Sequence, residues 1–236
     1  HALVGKKILR SSFFIFSSQK ELSDTNKLLG KGDTGIVIPN IVLPNKKIQL
    51  NGHEKFSELK LCFFSRIDKK KGLEFLLSAL NKVESEITLD IYGAIEASYF
   101  RELTGIINDK KLTDRVRFHA PVYGDRKYQI LADFDLMVLP SFDENFANVV
   151  LECIFAGTAV AVTEDVGLSG ELIKHDLGYI IKRDPDDIAR VISIAEKLKM
   201  SRQPILQGNV KDFLAKFDPL FLAQKHIDAY LSKILL

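Results

Sequence analysis

Leu136-Met-Val-Leu-Pro-Ser-Phe-Asp-Glu-Asn-Phe-Ala-Asn-Val-Val-Leu-Glu-Cys-Ile-Phe-Ala156 joins an apolar run to a helical run through a polar turn. Leu136–Leu139 has no alternation, which marks a strand buried on both faces rather than one with a wet side. Residues 147–156 read as a helix. The same unit recurs outward in both directions. Upstream, strands are expected at 61–65, 87–92 and 116–118, with helices at 72–83, 98–110 and 125–132. Leu73, Leu76, Leu77, Leu80 and Val83 fall on one face of the first of these helices. Downstream come strands at 159–162 and 179–181, a short helical turn at 169–174 and a helix at 185–198. Asp184 would cap that last helix, with Pro185 at its first position. Two further helices, near 210–217 and 220–236, close the chain. Strands that alternate with helices and stay apolar throughout make an α/β, Rossmann-like parallel sheet covered on both faces. Ligands of such sheets bind at the carboxyl ends of the strands, so function is sought just after each strand.

The 236 residues carry 33 Lys+Arg and 31 Asp+Glu, a net charge of +2, with 46% hydrophobic and 27% charged residues. This is a globular composition with enough chain for a buried core, and it excludes disorder. A near-neutral chain has no long-range field for nucleic acid, so nucleic acid is not an expected partner and any anion site must be local. Cys62 and Cys153 cannot form a disulfide framework and suit a reducing compartment. No apolar run reaches the roughly 18 residues of a membrane span, and no signal peptide is evident. The chain starts with His1 and reads as part of something longer. Its first 52 residues differ from the rest. They hold short strands at 13–16 and 36–38, a helix at 19–29 capped by Ser17 or Ser18, and a polar linker at 44–55.

Two carboxyl-end turns carry chemistry. After the first strand of the alternating region, Arg66 and Lys71 flank the entry to a helix. A guanidinium and an ammonium there suit a phosphate group, while Lys69 and Lys70 read as solvated bystanders. After the fourth strand, the backbone N–H groups near residues 146–149 open a helix and form a second anion cradle. Glu144 precedes this helix. Glu152 lies about 12 Å along it at helical rise, so the two carboxylates do not share a proton. Separated carboxylates beside an anion cradle suit hydroxyl recognition, because carboxylates accept and sugar hydroxyls donate. Glu152 sits among Val149, Val150, Leu151, Cys153, Ile154 and Phe155, where a charge needs a partner or a ligand.

The E-x7-E motif from Glu144 to Glu152, Arg66 with Lys71-Gly72, Ile36-Val-Ile-Pro-Asn40, Leu89-Asp-Ile-Tyr-Gly93 and Gly157-Thr-Ala-Val-Ala-Val-Thr163 follow one another in order. Together they resemble the carboxyl-terminal lobe of the group 1 (family 4) retaining glycosyltransferases of GT-B fold. The resemblance implies that the donor is a nucleoside-diphosphate sugar, UDP- or GDP-linked, and that no cofactor or metal is used. Arg66 and Lys71 would bind the diphosphate, and Glu144 would hold hydroxyls of the donor sugar. Glu152 would accept from the ribose. Asn145, Phe146, Ala147 and Asn148 would contact sugar and phosphate, with Val149 packing nearby. Gly93 and the turn Ala120-Pro121-Val122 would flank the base. The full-length enzyme would be a cytoplasmic hexosyltransferase of polysaccharide biosynthesis, acting on a glycan or lipid-linked acceptor, with peripheral association at the inner membrane face. The family has Gly at the position of Ala147, Ala or Ser at Cys153, Pro at Thr158 and a Gly pair near Val166-Gly167.

On this resemblance, residues 1–52 are the end of an amino-terminal lobe plus the interlobe linker. Residues 53–217 are the donor-binding domain, and residues 218–236 are a helix crossing back to the other lobe. The missing lobe would supply the acceptor site and a catalytic His, which His53 in the linker is not. The chain alone is then expected to bind donor without transferring sugar. Two alternatives stand beside this one: a non-catalytic nucleotide- or sugar-binding module, and a nucleotide-sugar epimerase of related fold, for which E-x7-E is the wrong signature. Asp133-Phe134-Asp135 matches a D-x-D metal motif but precedes its strand, at the edge away from the crevice, and reads as structural. His119, His175 and His226 lack metal-ligand spacing. His119 ends a strand near the expected base site.

Overall fold

Apolar runs become strands and helically spaced runs become helices in alternation along most of the chain. The computed structural model describes residues 9, 12–30, 32, 34–42, 58–85, 87–201, 203–206 and 208–234. The order is β1 (Phe14–Phe16), α1 (Gln19–Leu29), β2 (Gly35–Val37), β3 (Lys60–Phe64), α2 (Leu73–Leu80), β4 (Thr88–Tyr92), α3 (Ala97–Asp109), β5 (Val116–His119), α4 (Asp125–Leu131) and β6 (Leu136–Leu139). There follow α5 (Asn148–Ala156), β7 (Ala159–Thr163), α6 (Ser169–His175), β8 (Tyr179–Ile181), α7 (Pro185–Met200), α8 (Val210–Ala215) and α9 (Pro219–Ile234). The expected linker at 44–55, with His53, lies outside the described residues.

Six strands form one parallel sheet in the order β5-β4-β3-β6-β7-β8, flanked by helices. β6 and β7 are buried along their whole length, as is β3 after Lys60, which is why these three strands carry no polar alternation. α2 buries Leu73, Leu76, Leu77 and Leu80 and packs on α7, which buries Ile188, Val191, Ile192 and Ala195. Asp184 caps α7, with its side chain accepting from the Asp186 N–H at 2.7 Å and Pro185 at the first turn. β1 and β2 stand apart as a parallel pair joined through α1. Ser18 caps α1 by accepting from the Glu21 N–H at 3.2 Å. In α9, Leu222 and Ala229 are buried while Leu220, Ile227, Tyr230 and Leu231 stand exposed. Among the described residues no helix is long and apolar enough to cross a membrane.

The helix expected at 72–83 is shorter at both ends. A 3-10 turn at Lys69–Lys71 precedes it, held by Asp68 accepting from the Lys70 N–H at 3.0 Å. Gly72 then takes a left-handed conformation, φ 65°, that separates turn from helix. At the other end the Lys82 N–H bonds to Ala79 O at 2.9 Å, which tightens and ends the last turn.

The sheet winds outward from β3 through β4 to β5, then returns to β6 beside β3 and winds the other way. A switch of this kind opens a crevice above the carboxyl ends of β3 and β6, because the loops leaving them diverge. These two loops nevertheless touch at their bases. The Phe142 N–H and Ser141 Oγ both donate to Lys70 O, at 2.8 and 3.0 Å. A Cβ on Gly72 would stand 2.3 Å from Pro140 O. Gly72→Ala is therefore expected to lower the unfolding free energy by at least about 2 kcal/mol in urea titration, from backbone collision and left-handed strain together. Ala147, across the crevice, holds φ 64° and ψ 73° in spite of its Cβ. That conformation costs a non-glycine residue about 1–2 kcal/mol, and glycine gives back about 0.4–1 kcal/mol through the looser unfolded chain. Ala147→Gly is expected to raise the urea midpoint slightly, and a fall would contradict the strain.

Candidate functional site

Lys71 lies at the end of the 3-10 turn, inside the crevice, with only 8% of its surface exposed. An ammonium so buried needs a counter-charge. Glu144, in the turn after β6, provides it: Nζ of Lys71 donates to Oε1 of Glu144. The ion pair spans the switch point. Arg66 is placed differently. It stands at the mouth, three-quarters exposed, with Nε donating to Asp68 at 2.9 Å. Solvent screens this contact, so the guanidinium is free to exchange partners. An open cavity of about 620 Å³ lies between these groups. Arg66, Lys71 and residues Glu144–Asn148 line it, as do Ser17 and Asn40 from the first segment.

The turn from Asp143 to Ala147 is held from several sides. The Glu144 N–H donates to Asp165 O at 3.2 Å, and its carbonyl accepts from Gly167 at 2.8 Å. Phe146 is buried and sets its ring against Phe217 at 6.1 Å, which in turn contacts Phe213 of α8. Asn145 donates to Glu21 Oε1 at 2.9 Å, Lys20 donates to Asp143 at 2.8 Å, and Asn40 donates to Asn148 at 2.8 Å. Two hydrogen bonds and the pair with Asp143 and Asp24 outweigh the partial burial of Lys20 and leave its pKa raised. Ala147 has no side chain with which to cap α5. The Val150 N–H is taken by Ala147 O at 2.9 Å, and the N–H groups of Asn148 and Val149 before it have no intrahelical acceptor, which is the arrangement that suits an anion at a helix start.

Glu152 takes its own cation. It faces α4, where Lys127 lies against Oε2. A carboxylate has about four lone-pair sites, so this one ion pair leaves it acceptor capacity. Lys127 also sits 5.6 Å above the Phe64 ring. Phe64 begins a ladder across the strand ends: Tyr92 stacks on it at 4.4 Å, and His119 stacks on Tyr92 at 4.3 Å. His119 is held by Asp90 at 2.5 Å. Burial, and then the Glu152 charge, push the Tyr128 hydroxyl up to about 12 and the Cys153 thiol well up. Cys153 is thus a neutral packing group.

The residues singled out from sequence fall at one edge of the sheet. Lys71, Glu144, Asn145, Phe146, Ala147 and Asn148 meet at the cavity, and Val149 is buried beneath it. Gly93 ends β4 so close to the first turn that a Cβ there would stand 1.8 Å from Ser65 O. Ala120 and Pro121 are exposed just past β5, with Val122 packed on the core. Asp135, from the D-x-D stretch, lies at the opposite edge. It accepts from the Lys60 N–H at 2.8 Å and pairs with Lys199. Sequence reading missed Ser17, Lys20, Glu21 and Lys127. Each reads locally as a helix-start or surface residue; the partners of Lys20, Glu21 and Lys127 are distant in the chain, and Ser17, bonded to Glu21, reaches the cavity only through the fold. The Lys70 side chain reads as a bystander, yet its carbonyl ties the two loops together.

A family model described as glycosyl transferases group 1 matches residues 58–195. An uncharacterized glycosyltransferase of Methanocaldococcus jannaschii is 27% identical over 175 residues, covering 73% of this chain and 45% of the relative. The chain spans less than half the length of the curated relatives it matches. Among solved structures, Anabaena HepE in complex with UDP and glucose superposes with a TM-score of 0.79 at 22% identity, over 98% of this chain and 66% of that one. Sucrose-phosphate synthase from Thermosynechococcus elongatus superposes with a TM-score of 0.83 at 20% identity, over 99% and 61%. Likeness at this identity is a likeness of fold, and the fold is that of GT-B lobes. With the matched residues covering more than half of the chain and the crevice built from its E-x7-E turn, the protein belongs to the group 1 glycosyltransferases.

Proposed function

We propose that the crevice binds a nucleoside-diphosphate sugar, and that the whole protein transfers this sugar to a glycan or lipid-linked acceptor with retention and without a metal. The observation that carries this reading is the buried Lys71–Glu144 pair at the switch point, beside the open start of α5. Each half of the pair suits one part of such a donor. The Lys71 ammonium and the mobile charge of Arg66 face the place where a diphosphate would lie. As the sugar–oxygen bond breaks, negative charge grows on the departing diphosphate. Fixed cations and helix N–H groups stabilise that charge without reorganising. Glu144 is acceptor-only and suits sugar hydroxyls, which donate. Glu152 has acceptor capacity left beside Lys127 and suits the ribose hydroxyls. Gly93 and residues 120–122 flank the base, and Asn145, Phe146, Ala147, Asn148 and Val149 shape the sugar and phosphate end.

The structural neighbour HepE is known in complex with UDP and with UDP-glucose, which supports a nucleotide-sugar donor here. Transfer belongs to the whole protein, since this chain spans less than half of its curated relatives. Titration calorimetry of the chain with UDP and GDP, free and sugar-linked, tests the reading. At least one nucleoside diphosphate is expected to bind. Glu152→Ala and Arg66→Ala should each weaken it about tenfold or more, equivalent to about 1.4 kcal/mol. Absence of all nucleotide binding, or indifference to both substitutions, would overturn the donor site.

A further inference from the structure

The turn that forms the cradle is tied to the first segment of the chain at three of its outward positions. Asp143, Asn145 and Asn148 reach Lys20, Glu21 and Asn40, while Glu144 and Phe146 point inward to Lys71 and Phe217. The middle contact is the most constrained. Oε2 of Glu21 accepts from both the N–H and the hydroxyl of Ser17, each at 2.8 Å. These bonds hold one oxygen toward Ser17, and the other, Oε1, accepts from Asn145 at 2.9 Å. Two residues on, Ala147 sits in a left-handed conformation that a non-glycine residue keeps only when its surroundings over-determine it. The ties at Asn145 and Asn148 bracket that strained residue.

We propose that Glu21 is a positioning residue for the sugar end of the donor site, acting through Asn145 on the turn that precedes α5. This rests on the donor-site reading above. The competing account is that Glu21 only supports the start of α1, alongside the Ser18 cap. The two accounts differ in what they do to ligands. A positioning role acts through Asn145 chiefly on the sugar contacts of the turn, while a free diphosphate keeps Arg66, Lys71 and Glu152 to hold it, so the sugar-linked form loses more. A capping role alters stability alone.

The test titrates the chain, Glu21→Ala, Glu21→Gln and Ser18→Ala with UDP, UDP-glucose, GDP and GDP-mannose, alongside urea unfolding. Glu21→Ala should leave the free diphosphate within about twofold and weaken the sugar-linked form about fivefold or more, the size of effect usual for groups coupled by direct contact. Glu21→Gln should restore binding, since Gln can accept from Ser17 and donate to the carbonyl of a flipped Asn145 amide. Ser18→Ala should lose stability without separating the two ligands. Equal weakening of both ligand forms by Glu21→Ala, no weakening of either, or the same separation in Ser18→Ala would overturn the role of Glu21 while the donor site stands. An unmodified chain that binds none of the four nucleotides removes the donor site, and this role with it.

Discussion

A lysine almost wholly out of water has to be neutralised, and at Lys71 the neutralising group comes from the other half of the sheet. Lys71 ends the turn after β3, from which the chain winds toward β5. Glu144 follows β6, from which it winds toward β8. Their ion pair and the shared carbonyl of Lys70 fasten the two loops where the winding reverses. Removing one member of a buried pair strands the other charge, at a cost of about 3–5 kcal/mol, whereas apolar replacements of both are often neutral. Such a pair is a poor device for stability alone. Its place inside a crevice suits a site whose charges meet a ligand.

Around that pair the site keeps its two carboxylates in separate compartments, each with its own cation. Glu144 is matched by Lys71 and Glu152 by Lys127, so the two carboxylates of the motif are held apart and both ionised groups have a reason to be there. The opening of α5 lies by the first pair, and Lys127 of the second sits over Phe64, which begins the stack with Tyr92 and His119. One end offers cations and N–H groups to an anion. The other holds a carboxylate whose cation lies over the buried Phe64 ring.

Much of this was legible along the chain. The unbroken apolar runs at β3, β6 and β7 announced a sheet covered on both faces, and Ser18 and Asp184 marked helix starts that the structure keeps. The E-x7-E spacing announced two carboxylates with different surroundings. Other features were not legible. Gly72 reads as an ordinary helix start, yet it takes a left-handed turn, and the β6 loop leaves no room there for a Cβ. Lys127 reads as one surface lysine of a short helix, and only the packing of α4 on α5 shows that it answers Glu152. Glu21 reads as a first-turn acid, and nothing near it in sequence points to Asn145.

Sequence by itself determined the elements, their order and the class of the sheet, because backbone hydrogen bonding and burial repeat with short periods that a local stretch can display. It also placed the chemistry-bearing residues at strand ends. Only the tertiary structure decided which charges meet. Lys71 and Glu144 are 73 residues apart, and Glu21 and Asn145 are 124 apart. Contacts at such separations depend on how the sheet turns back on itself at β6, and on how closely two loops can pass when one residue between them has no side chain.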